Sequence, residues 1–258
     1  HQFYNSETIS RMKLFKKNRN YSRESDIVEK IKNVKESGKI FRVYDPSRKW
    51  NNEWSRYHIE NIVGYHPAKL SSYERMLPII EAKSNFIFKT LNIGFDLEVG
   101  NQIESNFDRA FFIKKIIIDE DNKETRYQTY RSDSSPSTLS YITYRGAELK
   151  NMIYNQTFED IINEINVRNP NEITINLNTS GPQFLAISEI FYPNGWHATI
   201  NGIKTDIFQV NDLIRGININ DKGSHVIKMW FDPPDLKWGK VLSHIGFSVI
   251  FIFIFSKK

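Results

Sequence analysis

The sequence predicts an α+β protein: a mixed α/β portion, then an antiparallel β-sandwich of jelly-roll or Ig-like type, then a C-terminal transmembrane helix. Three observations lead there. Residues 161–231 alternate apolar and polar side chains in short runs separated by turn residues, the pattern of half-buried antiparallel strands. Before them, stretches with helical spacing alternate with strand-like runs. After Pro233-Pro234, the segment Val241–Phe255 reads VLSHIGFSVIFIFIF and carries no formal charge. A membrane span takes roughly 20 mostly apolar residues, and this run reaches that length when Leu236, Trp238 and Gly239 join it. Trp238, Lys237 and Lys240 would then lie at one interface and Lys257 and Lys258 at the other. The other readings of the run are a buried strand or a core helix; most strands have about 5–6 residues.

The units expected are a polar basic arm over residues 1–22, a mixed α/β portion over 23–160, the sandwich over 161–234 and the span over 236–256. Within the 258 residues, 40% are hydrophobic and 14% aromatic, ample for a core. The net charge of +5 comes from 35 basic and 30 acidic residues that are interspersed. A nucleic-acid protein would concentrate its basic residues on a stripe, so nucleic acid is not an expected partner. With no cysteine there is no disulfide framework and no thiolate metal site.

In chain order, Asp26 with Glu29 three residues on forms a capping box for a short helix. Ile27, Ile31 and Val34 make its apolar stripe, and Gly38 ends it. Ile40–Tyr44 reads as a strand stopped by Asp45-Pro46. Residues 47–66 are irregular, with two Trp, two Tyr and two His among basic and acidic side chains. Such a stretch either folds its rings onto the core or presents them to a sugar or phosphate. The spacing of His58 and His66 does not suit a metal. Pro67 fits the first turn of a helix whose stripe is Leu70, Tyr73, Leu77 and Ile80. Further expectations are a helical piece over Asn85–Leu91, strands over Ile93–Val99 and Arg109–Asp119, a polar loop over 120–137 and weak helix over Ala147–Ile153.

In the sandwich, Ile173, Ile175 and Leu177 face one side. Phe184–Phe191 is nearly all apolar, as a central strand would be, and Trp196, Ala198 and Ile200 point inward. Asn201-Gly202 signals a type I′ hairpin, after which Ile203–Phe208 returns. Leu213–Ile219 and His225–Phe231 complete the set.

The segments IVGYHPAKLSSYERML (62–77) and FLAISEIFYPNGWHATINGIKTDIFQVNDLIRGININDKGSHVIKMWFDPP (184–234), followed by a hydrophobic helix, resemble the C-terminal part of the bacterial YfhO membrane-protein family. A Glu, a Tyr-Pro-x-Gly-Trp turn, an Asn-Gly hairpin, a Leu-Ile-Arg-Gly strand and a Lys-Gly-x-His turn precede Phe-x-Pro-Pro in order. The resemblance covers most of 39–258 and is thinnest over 100–160. It implies a polytopic, C-type glycosyltransferase-like parent that takes sugar from a polyprenyl-phosphate carrier for a cell-envelope glycan acceptor. This chain would be an extracytoplasmic part plus one span of the bacterial cytoplasmic membrane, with the C-terminus cytoplasmic. Its partners would be membrane lipid, the carrier-linked sugar, the acceptor and upstream transmembrane helices.

No catalytic residue carries over, since the family's acidic residue is expected near upstream spans; the fragment alone is expected to be inactive. No cofactor and no metal are implied. The Gly-Tyr-His-Pro-Ala-Lys segment maps onto Gly64–Lys69. Tyr65, His66 and Lys69 are therefore the first candidates for contacting sugar or carrier phosphate, although Gly64 and Pro67 also suit a helix entry. Arg215 is the second candidate. An Arg inside a sandwich strand needs an acidic partner or an exposed face, and Glu189 is the partner expected. Two other functions compete: a non-catalytic, membrane-anchored carbohydrate-binding or scaffolding module, and a glycosidase-like domain. The latter would need two of Asp45, Glu53, Glu60, Asp206 and Asp212 to converge at about 5–10 Å. A tail-anchored protein is the alternative to a chain with upstream spans.

Overall fold

The computed structural model describes residues 21–36, 38–65, 70–103, 109–119, 121–144, 149 and 152–255. The arm expected over 1–22 falls outside them except for Tyr21 and Ser22, which are helical. Helix α1 spans Tyr21–Glu36, so Asp26 lies inside it rather than capping it. Val28 and Ile31 are its buried contacts, with Ile27 and Val34 packed alongside. Gly38 then takes a positive φ of 88°, a conformation that costs glycine little. Strand β1 (Arg42–Tyr44) pairs in parallel with β2 (Ile93–Asp96), and β2 pairs with β3 (Asn101–Gln102), a small sheet of order β1-β2-β3. The strand expected over Ile93–Val99 thus ends at Asp96.

Between β1 and β2 lie two short helices. Pro67 is outside the described residues, but Leu70 is extended (φ −63°, ψ 131°), so α2 begins at Ser71 and runs to Glu81. Met76, Ile79 and Ile80 are its buried face. Helix α3 (Asn85–Thr90) is where its apolar run predicts; Ser84 caps it by accepting from the Ile87 amide.

The run Arg109–Asp119 is two strands, not one. β4 (Ala110–Ile113) and β5 (Lys115–Ile118) are joined by Lys114 yet stand far apart in one seven-stranded sheet of order β4-β10-β14-β13-β6-β5-β7. Strands adjacent in sequence at separated positions require that sheet to curl. Its other members are β6 (Leu139–Tyr144), β7 (Met152–Ile153), β10 (Gln183–Ile190), β13 (Phe208–Val210) and β14 (Ile214–Ile219). Met152 and Ile153 are therefore strand where helix is expected. The segment 120–137 holds helix α4 (Lys123–Tyr130), capped by Asn122, rather than a loop throughout. The seven-stranded sheet takes strands from both sides of residue 160.

The second large sheet is wholly antiparallel, in the order β12-β11-β15-β9-β8. It comprises β8 (Ile161–Asn169), β9 (Glu172–Thr179), β11 (Trp196–Ile200), β12 (Ile203–Thr205) and β15 (Gly223–Phe231). Asn201 and Gly202 both have positive φ, 50° and 82°, so the hairpin they announce is formed. The return expected to continue through Phe208 stops at Thr205, and the chain crosses to the other sheet as β13.

Two cores flank the curled sheet. On one face Ile173, Ile175, Leu177, Ile227 and Met229 meet Leu185, Ile187, Ile217 and Ile219, a sandwich of two sheets. On the other face Phe184, Ala186, Val210 and Ile214 meet α2, α3 and Tyr130 of α4. Strand β10 is apolar at nearly every position because both of its faces are covered.

Gly216 sits where no Cβ fits: one would stand 2.5 Å from Phe184 Cε1 and 2.6 Å from Val210 Cγ2. Both side chains are fully buried. Gly216→Ala is therefore expected to cost about 1–3 kcal/mol by overpacking, read by chemical denaturation; a loss below about 0.5 kcal/mol would contradict this packing.

Helix α5 (Pro234–Phe255, 22 residues) follows. The run is a helix and not a paired strand. Among the described residues, however, no helix is long and apolar enough to cross a membrane, so the span expected over 236–256 is not established as one. Lys240, His244 and Ser248 recur at four-residue spacing and draw a polar line along it: His244 Nδ1 lies 2.7 Å from the Lys240 carbonyl, and Ser248 donates to the His244 carbonyl. Around that line Leu236, Trp238, Val241, Leu242, Ile245, Phe247 and Val249 are exposed.

Candidate functional site

The stretch between β1 and α2 builds one wall of a cleft. Asp45 stops β1 and organises the turn after it. Its Oδ1 accepts from the Ser47 amide, its Oδ2 accepts from Trp54 Nε1 at 2.8 Å, and its own amide donates to Asn61 Oδ1. Trp54 is thereby buried among Val28, Ile31 and Phe95 rather than offered to solvent. Two 3₁₀ turns, Pro46–Arg48 and Glu53–Tyr57, carry the chain round, and His58 leaves the second with φ 55°.

These turns bound a cleft of about 930 Å³ that reaches from Asn52, His58 and Glu60 to Arg42, Tyr73 and Ile190. A second cleft of about 430 Å³ adjoins it, lined by Tyr44, Leu70 and Leu77 and flanked by Lys49 and Glu81. The two share Asn52, Asn61, Ile62, Val63, Tyr73 and Ile190 as walls. Tyr73 donates its hydroxyl to the Ile62 carbonyl, and burial pushes that phenol up to about 12. It is a wall and not an acid or base near neutral pH.

Beneath the first cleft lies a buried charge network. Arg42 Nε and Arg109 Nη2 both donate to Glu60 Oε2, at 3.2 and 2.6 Å. Arg42 Nη2 and Arg109 Nε reach the two oxygens of Glu189, at 3.2 and 2.7 Å. Arg42 also donates to the carbonyls of Leu91 and Ser188, so it joins β1, α3 and β10. Burial lowers the Arg42 guanidinium from its ordinary value, as does neighbouring Arg109, against the pull of Glu189 and Glu60. Burial alone would raise Glu60, but Arg109 and Arg42 outweigh it and hold the carboxyl below its ordinary range. Glu60 is thus an anion and not a proton donor at neutral pH.

The predicted residues separate in this frame. Tyr65 is 52% exposed at the mouth of the second cleft, its carbonyl accepting from Asn52 Nδ2. His66 and Lys69 lie outside the described residues. Arg215 is buried between the two large sheets and does not pair with Glu189 within ion-pair distance; Glu189 is taken by Arg42 and Arg109. Arg215 instead stacks 3.6 Å over the Trp196 ring and donates through Nε to the Ile190 carbonyl. Burial lowers it to about 10. Trp196 is inward-facing, as its alternation with Ala198 and Ile200 predicts.

The carboxylates that would serve a glycosidase are dispersed. Asp45 holds Trp54 and Ser47, Glu53 pairs with Arg48, and Asp212 holds Arg126 and Tyr130. Among the described residues, Glu60 is the acid lining the larger cleft and Glu81 the acid lining the smaller. Glycoside hydrolysis by a carboxylate pair therefore has no support. Among the described residues no group of three or more His, Asp or Glu is placed to hold a metal ion.

Sequence reasoning missed Arg42, Glu60 and Arg109 as a unit. Each sits in a different segment, and the sole local signal was an Arg within an apolar strand. No family model, no curated protein and no solved structure matches the chain.

Proposed function

We propose that the chain is the extracytoplasmic part of a membrane-bound, glycosyltransferase-like protein, attached to the bilayer through α5, whose paired clefts bind the envelope glycan acceptor or the carrier-linked sugar. The catalytic carboxylate would come from elsewhere in the parent protein. The observation that carries this reading is α5: a helix that begins at Pro234, directly after Pro233, and exposes apolar side chains over most of its described surface. Such a surface is unstable in water and is covered by lipid or by other apolar helices. The two clefts are of ligand size, mixing polar walls with aromatic ones, as sugar sites do. The resemblance over 62–77 and 184–234 supplies the reaction class. The finer readings, a bilayer-crossing helix and a jelly-roll or Ig-like sandwich, belong to this proposal.

A non-catalytic, membrane-anchored glycan-binding or scaffolding module is the second reading. What favours it is that, among the described residues, one acid lines each cleft and Glu60 is tied to Arg42 and Arg109.

The test is flotation of the full chain with phospholipid vesicles. Ile245→Lys with Val249→Lys places two charges on the exposed apolar surface, each costing about 2.5–3.5 kcal/mol at the centre of a membrane helix. The expected result is flotation of the native chain and its loss in the double variant. Equal partition of both proteins would sink the membrane reading.

A further inference from the structure

Among the described residues, the charges at the larger cleft do not balance. Arg42 and Arg109 share Glu60 and Glu189, and Lys35, whose Nζ donates to the His58 carbonyl at 3.3 Å, feels the field of Glu60. Arg215, on the inter-sheet side, adds a fourth positive charge that feels Glu189 and Arg42. Against these four cations stand Glu60 and Glu189. The guanidinium groups are also short of acceptors. Nη1 of Arg109 and Nη1 of Arg215 are buried with no hydrogen-bond partner, and an unmade bond on a buried charged donor is costly.

The two carboxylates are unlike. Glu189 belongs to β10, is 19% exposed and uses both oxygens on arginines. Glu60 lies in a loop, is 49% exposed, lines the cleft, and holds both arginines through Oε2 alone. Its backbone is anchored, since its carbonyl accepts from the Val43 amide at 2.8 Å, while its carboxylate is a side-chain rotation away from open space. Glu189 is thus a fixed part of the scaffold, and Glu60 is a carboxylate resting on two arginines at the floor of an open cleft.

We propose that this cleft takes the anionic group of a sugar-sized ligand, a carboxylate or a phosphate, which Arg42 and Arg109 hold in the place that Glu60 occupies in its absence. Glu60 is then a built-in competitor, keeping the arginines paired until the ligand's anion displaces it. Planar guanidinium forks suit both oxyanions. Burial lowers Lys35, Arg42 and Arg215, whereas Arg109, which its own burial would also lower, is held above its ordinary value by Glu189 and Glu60. The inference deepens the glycan-binding reading and rests on it for the sugar, but not for the charge.

The experiment titrates the full chain with inorganic phosphate, glucuronate and glucose at low ionic strength, following binding by isothermal titration calorimetry. Phosphate or glucuronate is expected to bind and glucose to bind more weakly; whichever anion is tighter identifies the group. Glu60→Gln is expected to tighten anion binding by about tenfold and Lys35→Gln to weaken it by about threefold, with glucose unchanged in both. A purely structural Glu60 would loosen the site or leave it unaltered. Failure of both anions to bind the native chain, or anion binding no tighter in Glu60→Gln, overturns the proposal. Should Glu60→Gln not fold, native anion binding and its weakening in Lys35→Gln decide alone. Glucose binding without anion binding removes the anion and leaves the glycan reading standing; binding of none of the three counts against both.

Discussion

Glu189→Ala is expected to destabilise the protein by about 3–5 kcal/mol, the range for breaking a buried ion pair by removing one partner. Glu189 is the shared anion of Arg42 and Arg109, at 3.2 and 2.7 Å, and both guanidinium groups are buried. Without it, Glu60 alone faces the arginines, and they repel each other at close range. For a chain of this size the loss corresponds to a fall in Tm of roughly 6–20 °C. Glu189→Gln retains an acceptor and is expected to lose less. The acid limb of the unfolding curve gives an independent check. Arg109 and Arg42 hold the Glu60 carboxyl below its ordinary range. Its stabilisation is therefore complete above the ordinary carboxylate pKa and lost as pH falls through the lowered value. The stability advantage of the native chain over Glu60→Gln should therefore shrink as pH falls through that range, the variant having no carboxyl there to protonate. Glu189→Ala costing under about 1 kcal/mol would show that the network is not what joins β1, α3 and β10.

Phe184→Ala should cost a similar amount, about 3–5 kcal/mol, by opening a cavity in the larger core. Its ring is fully buried, 5.9 Å from Phe208 and 6.4 Å from Tyr154. It also packs over Gly216, which lends the test a second arm. In Phe184→Ala the obstruction that a Cβ at 216 meets is largely gone. Adding Gly216→Ala to that background should therefore cost much less than in the native chain, a coupling of the sort contacting residues show. Strict additivity of the two substitutions, measured by urea denaturation, would mean that β10 and β14 do not face the helices as described.

Much of the fold was legible from local pattern. The hairpin at Asn201-Gly202, the buried alternation of Ile173, Ile175 and Leu177, and the helix over Asn85–Thr90 all lie where residue chemistry puts them. The misses have specific causes. Lys123–Tyr130 (KETRYQTY) has no aliphatic stripe. It is nevertheless helical because Tyr130 packs into the core and Arg126, 1% exposed, is held by Asp212 at 3.0 Å and by Asp119. That Asp212 comes from a second tight turn, Asn211-Asp212, where both residues take positive φ without glycine. The strand over Arg109–Asp119 is continuous in pattern, and nothing local marks Lys114 as the point where it parts.

The charge network was illegible for a related reason. Arg42, Glu60, Arg109 and Glu189 span nearly 150 positions, and no local pattern links them to one another. The expected Glu189–Arg215 pair had a correct premise, that an Arg in a sandwich strand must be accommodated, and a wrong partner. Cross-strand register sets Arg215 opposite Ile187 and under the Trp196 ring, while Glu189 points to the arginines of two other elements.

By itself, then, the order of residues determined the local conformations: turns that demand positive φ, strands with one wet face, and a long apolar helix after a proline pair. The last of these is a helix from Pro234 whose apolar run falls short of the length and hydropathy of a span among the described residues. These conformations follow from side-chain sterics and from spacing along the chain. The curling of the seven-stranded sheet and the gathering of Arg42, Arg109, Glu60 and Glu189 beneath one cleft were decided by the tertiary structure alone. Both depend on which distant segments pack together, and burial across such distances is a property of the whole chain that no short stretch encodes.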